Sequence, residues 1–94
     1  MPGAYTLLAT QGYKRDLRKL LKRQPDLAAR LTAPLQALEE DPLNTTTRHD
    51  IKKLAGVAEG EGQWRIRWGD YRLPYDVFET DVVLYSFRHR KEAY

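Results

Sequence analysis

Hydrophobic residues recur along this chain with two different periods, and the change of period divides it. Tyr13, Leu17, Leu20 and Leu21 fall at the three-to-four spacing of one helical stripe. Thr10, just ahead of them, is a residue type that caps helix N-termini by accepting a free backbone N–H. A second stripe, Leu27, Leu31, Leu35 and Leu38, follows Pro25, which suits a first helical turn, and stops at Asp41-Pro42. Pro34 interrupts this stripe. It removes the hydrogen bond to the carbonyl of Arg30 and predicts a kink. Before both helices, residues 4–9 form a short apolar run that predicts a strand.

After Gly62 the period drops to two. From Trp64 to Tyr75 apolar and cationic residues alternate, so a strand sends Trp64, Ile66 and Trp68 one way and Arg65 and Arg67 the other. Gly69-Asp70 is a two-residue hairpin turn with glycine in its first central position. Folding back at that turn places Arg65, Arg67 and Arg72 on one sheet face, opposite the core. Trp64, Trp68, Tyr71 and Tyr75 then read as core aromatics, because they alternate with the arginines. Strands are predicted at residues 63–68, 71–78 and 82–87, with Glu79-Thr80-Asp81 as the second turn. Pro74 in the middle strand is a local conflict, since proline cannot donate to the ladder. Residues 43–62 read mostly as loop, anchored by Ile51 and Leu54, and residues 88–94 as a charged tail. The order is βααβββ over a single domain, residues 1–94. The expected class is α+β, an antiparallel sheet with a helical hairpin packed on one face.

Charge sharpens this picture. Sixteen Lys and Arg against thirteen Asp and Glu leave a net charge of +3 and a pI near 9.3, which fits nucleic-acid binding without establishing it. The first helix is more lopsided: Lys14, Arg15, Arg18, Lys19, Lys22 and Arg23 face the single acid Asp16. Three guanidiniums on one small sheet face repel each other, and a polyanion is their natural ligand. The absence of cysteine excludes a disulfide frame and thiolate chemistry. Two histidines, His49 and His89, make no metal site at their spacing. The first ten residues lack the pattern of a secretory signal, and no apolar run approaches the ~18 residues of a membrane span. A cytoplasmic protein without a membrane partner is expected. Taken alone, these residues also allow plainer roles. Arg65 and Arg67 can solvate an open sheet face, Arg72 can pair with Asp76 or Asp70, Lys52 and Lys53 can solvate a loop, and His89 and Arg90 a tail.

Three strings decide between these roles: Lys52-Lys53-Leu54-x-Gly56, Trp64-Arg65-Ile66-Arg67-x-Gly69-Asp70-Tyr71-Arg72-x-x-Tyr75, and His89-Arg90-Lys91-Glu92-x-Tyr94. Together they resemble the RelE/ParE superfamily of bacterial and archaeal toxins, on its RelE branch. The resemblance implies a toxin of a type II toxin–antitoxin system that enters the ribosomal A site and cleaves the mRNA there. No metal or cofactor is implied, and the implied partners are a cognate antitoxin, the ribosome and its mRNA. ParE-type members share the fold but inhibit DNA gyrase, so a gyrase inhibitor is the alternative. A non-toxic RNA-binding module on the same fold is a third reading.

Metal-free RNA cleavage uses the substrate's 2′-hydroxyl to attack the adjacent phosphorus. It needs a group to take that proton, charge stabilisation for the phosphorane-like intermediate, and a proton for the leaving 5′-oxygen. Arginine suits the second task, and Arg65, Arg72 and Arg90 are assigned to it. In the RelE pattern positions 65 and 67 are often lysines, one of them proposed as the base. Both are arginine here, and a guanidinium with a pKa above ~12 does not surrender a proton near neutral pH. Proton transfer therefore falls to His89 and Tyr94, the latter matching a terminal tyrosine of the family. Lys52, Lys53, Arg67 and Arg88, with Arg18 and Lys22 of the first helix, are expected to contact RNA.

Overall fold

The computed structural model describes residues 4–89. Its elements are β1 (Thr6–Ala9), α1 (Gln11–Arg23), α2 (Leu27–Arg30), α3 (Thr32–Glu40), β2 (Ile51–Lys53), β3 (Trp64–Trp68), β4 (Tyr71–Phe78), β5 (Asp81–Leu84) and β6 (Arg88–His89). The class is α+β, with the helices packed on one face of a sheet ordered β1-β5-β4-β3-β2. Pairing is antiparallel except at one edge, where β1 runs parallel to β5. The helices and strands between β1 and β5 give the chain the length to return in that sense.

Local chemistry explains most boundaries. The Thr10 hydroxyl caps α1 by accepting from the Tyr13 amide, and donates to the Leu84 carbonyl, fixing the helix start to the sheet. Gly12 is required beside it, because a Cβ there would stand 2.8 Å from the Tyr85 carbonyl oxygen. The predicted second helix is broken rather than kinked. Pro34 cannot donate to the Arg30 carbonyl, so α2 ends at Arg30 and α3 restarts with Leu35 donating to Leu31. The leucine stripe nevertheless stays in phase, and Leu27, Leu31 and Leu38 are buried.

Tyr75, Leu73, Ile66, Val82, Leu84 and Phe87 form the sheet's contribution to the core, closed by Tyr13, Leu20 and Leu27 from the helices. The Tyr75 hydroxyl donates to the Pro42 carbonyl at 2.6 Å, and burial pushes its pKa upward. The β3–β4 turn is Gly69-Asp70 with Gly69 at φ 58°, as the sequence predicts. The β4–β5 turn is tighter than expected. Phe78 pairs directly with Asp81, leaving Glu79-Thr80 as a two-residue turn with Glu79 at φ 55°.

Two strands depart from the sequence expectation. Residues 51–53 lie within the predicted loop, yet pair with β3 as Lys52↔Arg65 and Lys53↔Trp64. Three residues with two lysines carry no alternation signal; the free edge of β3 makes them a strand. The predicted tail begins with β6, which pairs Arg72↔Arg88 and Tyr71↔His89. The chain leaves β5 at Leu84, crosses through Tyr85–Ser86–Phe87 and rejoins the same edge of β4 further along. Pro74 falls in that gap, its carbonyl accepting the Tyr85 amide, so the strand accommodates it where regular pairing lapses.

Candidate functional site

Strand register sorts the cations by face. Arg65, Arg67 and Arg72 point away from the helices, opposite Ile66, Tyr71 and Leu73, as the alternation predicts. Lys52 joins them through its pairing with Arg65, and Arg88 through its pairing with Arg72. Four of these five, Lys52, Arg65, Arg72 and Arg88, line one cavity of about 560 Å³. Leu54, Val57 and Pro74 supply apolar wall, Tyr85 and Ser86 come from the crossover, and among the described residues Glu61 is the one carboxylate in the lining.

The guanidiniums are held short of satisfaction. Arg72 is 8% exposed and donates through Nη1 to the Tyr71 carbonyl, while its Nε is buried with no hydrogen-bond partner. The buried Nε of Arg65 likewise has none. Neither is in a salt bridge among the described residues. Arg88 donates through Nε to the Ser86 hydroxyl at 3.2 Å. Buried cationic donors without acceptors are costly unless a ligand supplies them. An anion in this cavity would meet several guanidiniums in a partly desolvated setting, where charge-assisted bonds are strongest.

Asp76 lies on the same face but does not pair with Arg72. Its carboxylate accepts from the amides of Gly60, Gly62 and Gln63 and from the Tyr85 hydroxyl, at 2.7, 3.4, 2.7 and 2.9 Å. Burial by itself would raise its pKa. These four donors outweigh burial and hold it below the usual carboxylate range. The Tyr85 hydroxyl is pushed the other way, to about 12, by burial first and by its bond to Asp76. Asp76 thus fixes the loop that walls the cavity and leaves the arginines without their sequence-predicted counter-ion.

Five other predicted residues fall elsewhere. His89 pairs with Tyr71 and so faces the helix side, its ring edge-on to Tyr71 at 5.4 Å and 86°. It does not join the arginines, because a period-two strand with Arg88 on one face must send His89 to the other. Lys53 is turned the same way by its pairing with Trp64, and its ammonium sits 5.7 Å from that ring. Arg67 keeps the arginine face but is tied to Asp50 through its Nε and its backbone amide. It lies outside the cavity lining. Arg18 and Lys22 are exposed on α1, in the helix layer on the opposite side of the sheet from the cavity. The one acid of that helix, Asp16, accepts the Phe87 amide at 3.1 Å. Arg90 and Tyr94 lie outside the described residues.

Glu61 and Asp76 were missed as members of the site. The only trace of Glu61 in the sequence is its place in Gly60-Glu61-Gly62, which reads there merely as a pair of breakers.

The family model described as the ParE toxin of the type II toxin–antitoxin system parDE matches residues 7–94. The chain is a toxin of the RelE/ParE superfamily. This RelE/ParE toxin is similar to a chain of the toxin–antitoxin complex RelBE2 from Mycobacterium tuberculosis. The two are 34% identical, the match covers 92% of this chain and 98% of that one, and the TM-score is 0.68. It also shares its fold with a chain of the RelB–RelE antitoxin–toxin complex from Methanococcus jannaschii, at 22% identity, TM-score 0.67, and 93% and 94% coverage. No curated protein sequence matches it significantly.

Proposed function

We propose that this toxin is a ribosome-dependent mRNA endonuclease that cleaves by 2′-hydroxyl attack and arrests translation. The observation that carries the proposal is the cavity where Arg65, Arg72 and Arg88 converge with Lys52, two of the guanidiniums holding a buried Nε without a partner. A phosphodiester gaining negative charge at its non-bridging oxygens is an acceptor such donors would stabilise. Arg65 and Arg72 then act on the developing charge, and Arg88 and Lys52 bind flanking phosphates. The remaining predicted members, Arg90 and Tyr94, lie outside the described residues. Both solved relatives come from complexes with an antitoxin, and a cognate antitoxin covering the arginine face is the matching means of control.

A gyrase inhibitor is the second reading, favoured by the ParE description of the family model. Inducing the toxin alone and following pulse labels separates the two. The endonuclease reading expects protein synthesis to fall first, with new mRNA 5′ ends appearing inside coding regions on ribosomes. DNA synthesis failing first, with intact mRNA and blocked supercoiling by gyrase, would replace it.

A further inference from the structure

Whatever cleaves RNA in this cavity without a metal needs a proton acceptor, and the residues assigned to that task by sequence do not supply it from the described structure. Positions 65 and 67 are arginine, and His89 faces the far side of the sheet. The Tyr85 hydroxyl lines the cavity but is committed as donor to Asp76 and has its pKa raised. Asp76 is 1% exposed and takes four hydrogen bonds, so its oxygens are occupied.

Tyr94 lies outside the described residues, and among those described Glu61 is the carboxylate that lines the cavity, where the fold takes trouble to place it. The residues on both sides of it, Gly60 and Gly62, donate their amides to the same buried oxygen of Asp76. Its own amide donates to the Ala58 carbonyl at 3.1 Å. Gly60 and Gly62 take φ of 91° and 88°, and a Cβ on Gly62 would meet that of Pro74 at 2.8 Å. The backbone carrying Glu61 is therefore pinned on both sides to Asp76 of the strand that bears Arg72, with a turn inside the loop between them. The Glu61 side chain is exposed at the cavity rim, and a carboxylate there offers oxygens that can accept a proton. The charged groups around the cavity are Lys52 from β2, Arg65 from β3, Arg72 from β4 and Arg88 from β6, with Glu59 on the same loop.

We infer that Glu61 is the general base of this toxin, taking the proton from the attacking 2′-hydroxyl of the substrate nucleotide. The inference rests on the endonuclease reading above. In the step, the O2′–H proton passes to the Glu61 carboxylate as the O2′–P bond forms, and the P–O5′ bond breaks. The released 5′-oxygen takes a proton from water, leaving a 2′,3′-cyclic phosphate and a 5′-hydroxyl. Glu61 then returns its proton to solvent. The Asp76 clamp is the positioning device: it holds the base rigidly enough to act, as a proton acceptor must be held within hydrogen-bond reach.

The test is single-turnover cleavage on mRNA-programmed ribosomes with saturating full-length toxin, as wild type, Glu61→Gln and Glu61→Asp, between pH 5.5 and 8.5. Loss of a general base lowers the rate by about 10²–10⁴-fold. The wild-type rate should be nearly flat across this range. Glu61→Gln should be slower by that factor, with a residual rate that climbs about tenfold per pH unit as hydroxide takes over. Glu61→Asp should keep a flat profile at an intermediate rate, and all three should pellet with ribosomes alike. Wild-type cleavage with an equally fast Glu61→Gln overturns the assignment and leaves the endonuclease reading intact. A slow Glu61→Gln with a flat profile and weakened pelleting also overturns it, making Glu61 a support of the loop. A wild type that cleaves nothing while inhibiting gyrase removes both.

Discussion

Replacing Arg72 by methionine separates two roles that a buried cation can have. If Arg72 were part of a structural ion pair, its loss would strand a buried partner and cost several kcal/mol, of order 3–5. Its surroundings show no such partner: one bond to the Tyr71 carbonyl, an orphan Nε, and an Asp76 already filled by backbone amides. Arg72→Met keeps the packing of the stem and removes an unpaired charge. Its thermal midpoint should be unchanged or raised. Removal of one preorganised donor should lower single-turnover cleavage by about 10²–10³. A midpoint falling by more than about 5 °C, roughly 1 kcal/mol for a domain this size, would show that Arg72 is structural. Which side the arginines take was legible because alternation fixes it within a hairpin. That Arg72 stays unpaired was not, because the donors that claim Asp76 come from a glycine-rich loop whose path no periodicity reports.

At the scale of elements, two short segments each make a stability prediction. The loop before β3 depends on Asp76, whose pKa is depressed in the fold. A depressed carboxylate contributes stability that is present above its unfolded pKa, near ~3.9, and is lost as pH falls through the lower folded value. Asp76→Asn cannot accept from all the amides at once and should destabilise the domain by about 1–3 kcal/mol at pH 7. Urea midpoints of the two proteins should converge as the pH drops below ~4. Parallel curves at all pH values would show that the carboxylate's charge is not what holds the loop. The β4–β5 turn gives the opposite sign. Glu79 sits at φ 55°, a conformation costing about 1–2 kcal/mol for a residue with a Cβ. Glycine relieves that cost but is harder to order, so Glu79→Gly should stabilise by a net of roughly 0.5–1 kcal/mol, read as a higher denaturation midpoint. Elements with a long apolar stripe or a strict alternation, such as α1, β3 and β4, were readable from sequence. Both β2 and β6 were not, because three lysine-rich residues and two tail residues become strands only through the edges they find. The face of His89 was not legible for the same reason: it is set by the β6 register, which depends on the crossover at residues 85–87.

The whole molecule presents cations on two opposite sides of its sheet, and under the proposed function this separates binding from chemistry. The cavity lies on one side; the exposed face of α1, with Arg18 and Lys22, lies in the helix layer on the other. Nothing in the amphipathic pattern told these two surfaces apart, since both appear in the sequence as basic stretches beside apolar ones; only the packing of Tyr13 of α1 against Phe87 does. If the toxin sits on the ribosome with mRNA in the cavity, α1 can meet ribosomal RNA only with its outer face. Its contribution is then purely one of affinity. Replacing Arg18 and Lys22 together by alanine should weaken ribosome pelleting. It should also flatten the salt dependence of binding by roughly 1.4–1.8 in log–log slope, two phosphate contacts at the usual counterion release per contact. The rate at saturating toxin should stay within about twofold of wild type, because nothing in the cavity has moved. Arg65→Ala should do the reverse, losing rate at saturation by about 10²–10³ with only a small change in slope. Pelleting across a salt series, paired with single-turnover rates, checks both. An α1 variant that binds normally but cleaves slowly would place the helix against the reacting strand and contradict the two-sided arrangement.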